Sequence, residues 1–255
     1  MLLIHLITDL GNRDPYLSQF TGQLYKHLQQ FRMASPLSGI KPYDIREGAY
    51  VLQNTYRHFP EKTIHIAHVN VLEGQKRVLL CEHQGHYFIS FDHGMLPLAL
   101  SVSSENIFEL QEEWIEPNDP MRFIAIARAC SLIERQYALK DIGHIPDRIV
   151  SLKGFSPMRN GNLIQATVIH IDLFGNLALN INRVFWKEQQ LNDDVTISIN
   201  RMDSRGITEY PERIEEGDIC CYFNSNEQLM VGIRNGSASN MLGIQVDDAV
   251  VLTVS

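Results

Sequence analysis

From Leu2 to Tyr137 the chain alternates strand-like and helix-like segments, and after Leu163 helical periodicity gives way to short β-like runs. Alternation of this kind is the mark of an α/β layer, whereas closely spaced strands with turn residues between them indicate a sandwich or barrel. Met1 to Ile7 is apolar, has no basic lead and is too short to span a bilayer. It reads as a buried first strand and not as a signal peptide. The strand ends at Asp9-Leu10-Gly11, and in α/β folds ligands sit beyond the carboxyl ends of strands. Asp9 is therefore placed either to accept hydrogen bonds from a sugar diol or to close a turn.

Apolar positions at Tyr16, Phe20, Leu24, Leu28 and Phe31 predict a helix over Tyr16 to Phe31, and Ile45, Ala49, Leu52 and Tyr56 predict another over Asp44 to Phe59, with Asp44 in its first turn. Thr63 to Val71, Val78 to Cys81 and Tyr87 to Phe91 read as strands, and Met121 to Tyr137 as a helix. Lys153 to Leu163, punctuated by Gly154, Pro157, Asn160 and Gly161, reads as a linker. Strands are then predicted at Leu163 to Ile171, Leu177 to Ile181, Val195 to Ile199, Ile219 to Phe223, Leu229 to Ile233 and Ala249 to Val254. The expected organisation is an α/β domain over 1–155, a linker over 156–162 and an all-β, barrel-like domain over 163–255.

Between two of those strands, Asp172, Phe174 and Asn176 occupy alternate positions around a Phe-Gly-Asn turn. In an extended chain they would line one surface with a carboxylate, an aromatic face and a carboxamide, a pocket for a flat, polar-edged ligand. The other reading is a hairpin whose Asp and Asn bond the turn itself.

A net charge of −8 and the lack of any lysine or arginine run argue against a nucleic-acid surface. Cys81, Cys130, Cys220 and Cys221 show no Cys-x-x-Cys spacing, so neither a zinc site nor a disulfide framework is expected, and a reducing cytoplasm fits best. The ten histidines offer no metal-ligand spacing; His65, His68, His83 and His86 read as structural or surface residues.

Motifs spread over nearly the whole chain resemble the S-adenosylmethionine hydroxide adenosyltransferase family, whose halide-using relatives are the fluorinases and chlorinases. They are Thr8-Asp9-Leu10-Gly11-Asn12-Arg13-Asp14-Pro15-Tyr16, Pro42-Tyr43-Asp44-Ile45-Arg46-Glu47-Gly48-Ala49, Tyr56-Arg57-His58-Phe59-Pro60 and Phe91-Asp92-His93-Gly94-Met95-Leu96. Ile171-Asp172-Leu173-Phe174-Gly175-Asn176-Leu177, Asn224-Ser225 and Asn235-Gly236-Ser237-Ala238-Ser239-Asn240-Met241-Leu242-Gly243 complete the set. The resemblance implies S-adenosylmethionine as substrate or ligand, no separate cofactor, and a homotrimer with sites at subunit interfaces. It implies that Asp9 holds the ribose hydroxyls and that Tyr43 lies against the sugar and methionyl portion. Asp172 and Ser225, with Asn224 beside it, would take the methionine end; Phe174 and Tyr210 would sandwich the adenine; Asn176 and the Gly236 backbone would read its edge.

The family reaction is displacement at the ribose 5′ carbon by water or hydroxide, and it uses an Asp, an Arg and a His to prepare the nucleophile. The equivalent loop here, Asn70-Val71-Leu72-Glu73-Gly74-Gln75-Lys76-Arg77, keeps Arg77 but places Asn70 where the Asp belongs, and the His position falls at Asp119. A carboxamide positions a water but takes no proton at neutral pH. Asp119 could substitute as acceptor or simply begin a helix, and Glu73 is a second candidate carboxylate. Three readings remain open: hydrolysis of S-adenosylmethionine to adenosine and L-methionine, binding of S-adenosylmethionine or adenosine without turnover, or altered chemistry with another nucleophile or nucleoside. Halide chemistry is not expected, because neither Glu73 nor Pro120 offers the small hydroxyl that a halide pocket uses.

Overall fold

The structure, a computed structural model, describes every residue except 72–76, 153, 155, 201, 254 and 255, and the Arg205 side chain. The chain divides into two compact units, Met1–Lys153 and Gly154–Ser255.

The first unit contains β1 (Leu2–Thr8), α1 (Tyr16–His27), β2 (Phe31–Met33), α2 (Ile45–Thr55), β3 (Ile64–His68), β4 (Val78–His83) and β5 (His86–Phe91). α3 (Met95–Leu100), β6 (Ile107–Leu110), α4 (Phe123–Glu134), α5 (Leu139–Ile142) and β7 (Gly143–His144) follow. Its seven-stranded sheet runs β2-β1-β3-β5-β4-β6-β7, with β1 parallel to β2 and β3, and β3 parallel to β5. β3 is buried at every position, as a strand covered on both faces must be. Phe20, Leu24, Phe123 and Ile126, from α1 and α4, pack with Leu6, Ile66 and Phe91 on one face. Ala49, Leu52, Met95 and Ala99, from α2 and α3, pack with Ile7, Ala67 and Phe88 on the other. β4 and β5 form a two-residue hairpin at Gln84-Gly85, where both residues have positive φ (47° and 78°), the geometry that matches the twist of paired strands.

The helix predicted to reach Phe31 stops at His27, and Phe31 instead opens β2 beside β1. Leu28 is already extended at the helix end, so the apolar stripe crosses a helix-to-strand junction. His86 lies inside β5 and is buried, so it is a structural and not a surface residue.

The second unit holds β8 (Met158–Asn160), β9 (Leu163–Ile171), β10 (Leu177–Asn182), α6 (Arg183–Glu188), β11 (Thr196–Ile199) and β12 (Met202–Arg205), then β13 (Ile219–Phe223), β14 (Gln228–Ile233), α7 (Ala238–Leu242) and β15 (Ala249–Thr253). The sheet runs β12-β11-β15-β9-β10-β14-β13, with β8 added on β9. It curls nearly into a barrel: Thr208, just past β12, donates its amide to Cys221 O of β13 at 2.8 Å. Inward residues alternate along β9, with Ile164, Ala166 and Val168 buried, and the fill includes Trp186, Leu179, Val231 and Leu252. Part of the stretch read as a linker is strand, since Met158 pairs with Gln165 and Asn160 with Leu163 around the Gly161 turn. Gly and Asn there mark a hairpin, a signal that a linker shares.

Candidate functional site

In the first unit the polar residues gather beyond the carboxyl ends of β1, β3 and β5. Asp9 Oδ2 accepts the Tyr43 amide at 2.9 Å and the Asn70 amide at 3.0 Å. Both donors sit in the left-handed region, with φ of 69° and 54°. Non-glycine residues there cost about 1–2 kcal/mol each, and amide bonds to a carboxylate, worth about 1.5–3 kcal/mol each, offset that cost. One carboxylate thus fixes the loop before α2 and the loop after β3. The Tyr43 ring is left exposed.

Around Asp9 lie groups of a different kind. His68, at the end of β3, is fully buried among Phe20, Phe91 and Phe123. Its Nε2 lies 2.9 Å from Met121 O. His93, just past β5, is also buried, and its Nε2 lies 2.9 Å from Val69 O. A carbonyl only accepts, so Nε2 carries the proton in both rings. Burial lowers both histidine pKa values, so each ring is neutral and its Nδ1 is a lone-pair acceptor. Among the described residues, neither Nδ1 has a hydrogen-bond partner, and neither does Asn70 Oδ1. A buried acceptor without a donor costs about 1–3 kcal/mol.

The other water-handling candidates are already engaged. Arg77 pairs with Asp92, donates to Glu109 Oε2 at 2.8 Å and to Arg148 O at 3.0 Å. Asp92 Oδ1 also accepts the Val150 amide at 2.8 Å. Asp119 is buried, and its Oδ2 accepts the amides of Ile124 (2.9 Å) and Ala125 (3.0 Å), capping α4. Glu73 lies outside the described residues.

In the second unit Asp172 organises its own turn. Oδ1 accepts the amides of Phe174 and Asn176, both at 2.9 Å, and Oδ2 accepts Asn176 Nδ2 at 2.9 Å. The hairpin reading of the sequence therefore describes the local bonding, and the same bonding directs the apolar side chains outward. Leu173 is 103% exposed and Phe174 79%. Gly175, at φ 82°, has no room for a side chain: a Cβ there would sit 2.0 Å from Ser237 Oγ. Its carbonyl accepts the Ser239 amide at 2.9 Å, so the turn is braced on the segment that holds Gly236. Asn176 Oδ1 packs against the bare Cα of Gly232. Tyr210 is half exposed under the Arg213 guanidinium, 4.1 Å from its ring centre, and Arg234 Nη1 donates to Ile214 O nearby.

Asp172, Phe174, Asn176 and Gly236 thus share one end of the β10–β14 pair. Asn224 and Ser225 do not: β10 is antiparallel to β14 with Leu177 opposite Val231 and Asn182 opposite Gln228, which puts the Asn224–Ser225 turn at the other end. Asn224 Oδ1 accepts the amides of Asn226 (2.9 Å) and Gln228 (3.0 Å), and Ser225 is exposed. From the sequence His68 reads only as a structural or surface residue, and His93 is marked only by its place in the Asp92-His93-Gly94 turn.

No group of three or more His, Cys, Asp or Glu among the described residues is placed to hold a metal ion, and no helix among them is long and apolar enough to cross a membrane. Over its whole length the fold is similar to two solved structures: an uncharacterised conserved protein from Thermotoga maritima (TM-score 0.79, 18% identity, covering 99% of this chain and 100% of that one) and a conserved hypothetical protein from Thermus thermophilus (TM-score 0.75, 19% identity, 100% of both). The sequence is 24% identical over 267 aligned residues to (R)-S-adenosyl-L-methionine hydrolase of Methanocaldococcus jannaschii, covering 97% of this chain and 94% of that protein. Residues 4–142 match the N-terminal domain of the SAM hydroxide adenosyltransferases and residues 166–251 their C-terminal domain. The chain belongs to the SAM hydroxide adenosyltransferase family.

Proposed function

We propose that the chain binds S-adenosylmethionine and hydrolyses it to adenosine and L-methionine by displacement at the ribose 5′ carbon. The observation that carries this reading is the braced hairpin at Asp172 to Asn176, which holds an aromatic face in solvent beside a fixed carboxamide. That pairing suits a purine: the Phe174 ring offers a stacking face, and the Asn176 side chain can read a base edge. The relative from Methanocaldococcus jannaschii, a hydrolase by name, supports the same substrate.

In this reading Asp9 takes the ribose hydroxyls on the loops it has already ordered, Tyr43 lies along the sugar, and Tyr210 covers the other face of the base. Arg77 braces Asp92. Asp119 serves α4. The leaving group is a thioether and needs no proton, so the protein has to supply alignment, exclusion of water and a proton acceptor. The exposed Leu173 and Phe174 fit a site shared between copies of the chain, and a homotrimer is the proposed assembly. Light scattering should then give about three times the 29.2 kDa chain mass.

Asn70 favours a second reading, binding without turnover, because it stands where the family reaction uses a carboxylate. Chromatography of adenosine and methionine after incubation with S-adenosylmethionine separates the two, with Asp9→Ala as the control. Adenosine that accumulates with the wild type and not with the control supports hydrolysis. Saturable binding with no adenosine would leave only the binding reading.

A further inference from the structure

We propose that His93 Nδ1 is the acceptor for the proton of the attacking water, with Asn70 Oδ1 orienting that water and His68 Nδ1 as a deeper acceptor behind it. The inference rests on the hydrolytic reading above and adds the group that the change at position 70 removed.

Three facts converge. First, Val69 O takes the Nε2 proton of His93, which fixes the tautomer and leaves Nδ1 as the basic atom. Second, that bond ties the ring to the residue preceding Asn70, whose amide is held by Asp9. Third, His68 Nδ1, His93 Nδ1 and Asn70 Oδ1 are all buried acceptors with no donor among the described residues. A water brings two donor hydrogens, enough for two such acceptors, and keeps a lone pair. His93 is the better base of the two. His68 is enclosed by three phenyl rings, whereas His93 follows Asp92 in the turn between β5 and α3.

The step balances without a further reactant. The water oxygen forms the bond to C5′, and the C5′–S bond breaks with its electron pair remaining on sulfur. One water proton passes to His93 Nδ1 and the other stays as the 5′-hydroxyl. Methionine leaves as a neutral thioether, and the imidazolium returns its proton to solvent. The charged and titratable groups acting on His93 are Asp92, itself paired with Arg77, Asp9 beyond β1, and His68 at the end of β3. The two carboxylates favour the imidazolium, and burial and His68 oppose it.

The test is steady-state kinetics of His93→Gln, which keeps a polar group but no basic nitrogen. The expected result is a fall in kcat of at least about 100-fold with KM within about threefold, the usual span for a lost general base. The wild-type rate should rise with pH through the His93 pKa, and the variant should lose that limb. A variant with kcat within threefold of wild type overturns the inference and leaves hydrolysis standing. A wild-type protein that binds S-adenosylmethionine but forms no adenosine overturns hydrolysis and the base role together. If the variant fails to fold, long-range proton–nitrogen NMR of the wild type decides. A His93 Nδ1 that carries the proton at pH 7.5, or a rate that does not follow the His93 titration, overturns the proposal; the Nε2-protonated tautomer with a matching rate supports it.

Discussion

Acidification should unfold this protein through a row of histidines in the first unit. His5 of β1, His65 of β3 and His86 of β5 form a buried chain, with His5 Nδ1 3.0 Å from His65 Nδ1 and His65 Nε2 3.2 Å from His86 Nδ1. Tyr56, Phe59 and Phe88 surround the central ring. Neutral rings satisfy this chain with one proton per link, but a charged ring would be desolvated beside another imidazole. Burial accordingly lowers the pKa from 6.5 to about 4 for His5 and to about 3 for His65, and it lowers those of His86 and His83 too. Arg57 adds to the lowering at His83, and Glu61 opposes it at His86. The unfolded chain therefore binds protons that the folded one refuses, and stability is full above pH 6.5 and falls as pH drops toward 4. Each of His5 and His65 costs about 1.4 kcal/mol per pH unit in that window, so the two together remove about 4 kcal/mol between pH 7.5 and pH 5. That is a large part of an ordinary domain stability of about 5–15 kcal/mol. Urea unfolding of the wild type, followed by circular dichroism at half-unit pH steps, measures it. A double replacement, His5→Phe with His65→Leu, should flatten the dependence. A midpoint that stays level from pH 7 to pH 5 in the wild type would refute the reasoning.

Asp9→Ala removes the acceptor for two amides held at positive φ, so the Tyr43 and Asn70 loops should relax and calorimetric affinity for S-adenosylmethionine should fall at least about 100-fold, equivalent to roughly 3 kcal/mol; affinity within threefold of wild type would contradict the tie. Gly175→Ala forces a methyl group onto Ser237 Oγ at a left-handed position, and it should cost at least about 2 kcal/mol in chemical denaturation while weakening adenosine binding. Asn70→Asp returns a carboxylate to the loop: with His93 as the base, product assays should show less than a tenfold gain in kcat, whereas a gain of 100-fold or more would assign the lost proton transfer to position 70 itself.

Most strands of both units are legible in the sequence because apolar runs bounded by Gly, Asn and Asp allow few alternatives. Ile64 to His68, buried on both faces, and the alternating Leu163 to Ile171 are examples. Less legible were the places where one pattern serves two elements. Phe31 continues the stripe of α1 but pairs as strand, and Asn160-Gly161 looks like a linker but turns a hairpin. The candidate site divides the same way. Asp9 and the Asp172 to Asn176 turn announce themselves by carboxylates and glycine next to strand ends. His68 and His93 do not, since what singles them out is an acceptor with no donor in three dimensions, and a one-dimensional pattern carries no record of partners that are missing.

The exchange of a carboxylate for Asn70 alters binding as well as proton transfer. S-adenosylmethionine carries its positive charge on the sulfonium, next to the carbon under attack. A carboxylate base there attracts that charge in the bound substrate, before any bond changes, so part of its effect is uniform binding that does nothing for the chemical step. The carboxylates that remain nearby are partly committed: Asp92 to Arg77, Asp119 to the amides at the start of α4, and Asp9 to two loop amides. A neutral imidazole leaves the sulfonium unpaired in the ground state and becomes cationic only as the water gives up its proton. In the proposed reaction the new charge then forms within the field of Asp9 while the sulfonium charge disappears, so the stabilisation arises at the barrier and not before it. An Asn at position 70 is on this account consistent with turnover, provided that the proton has His93 to go to.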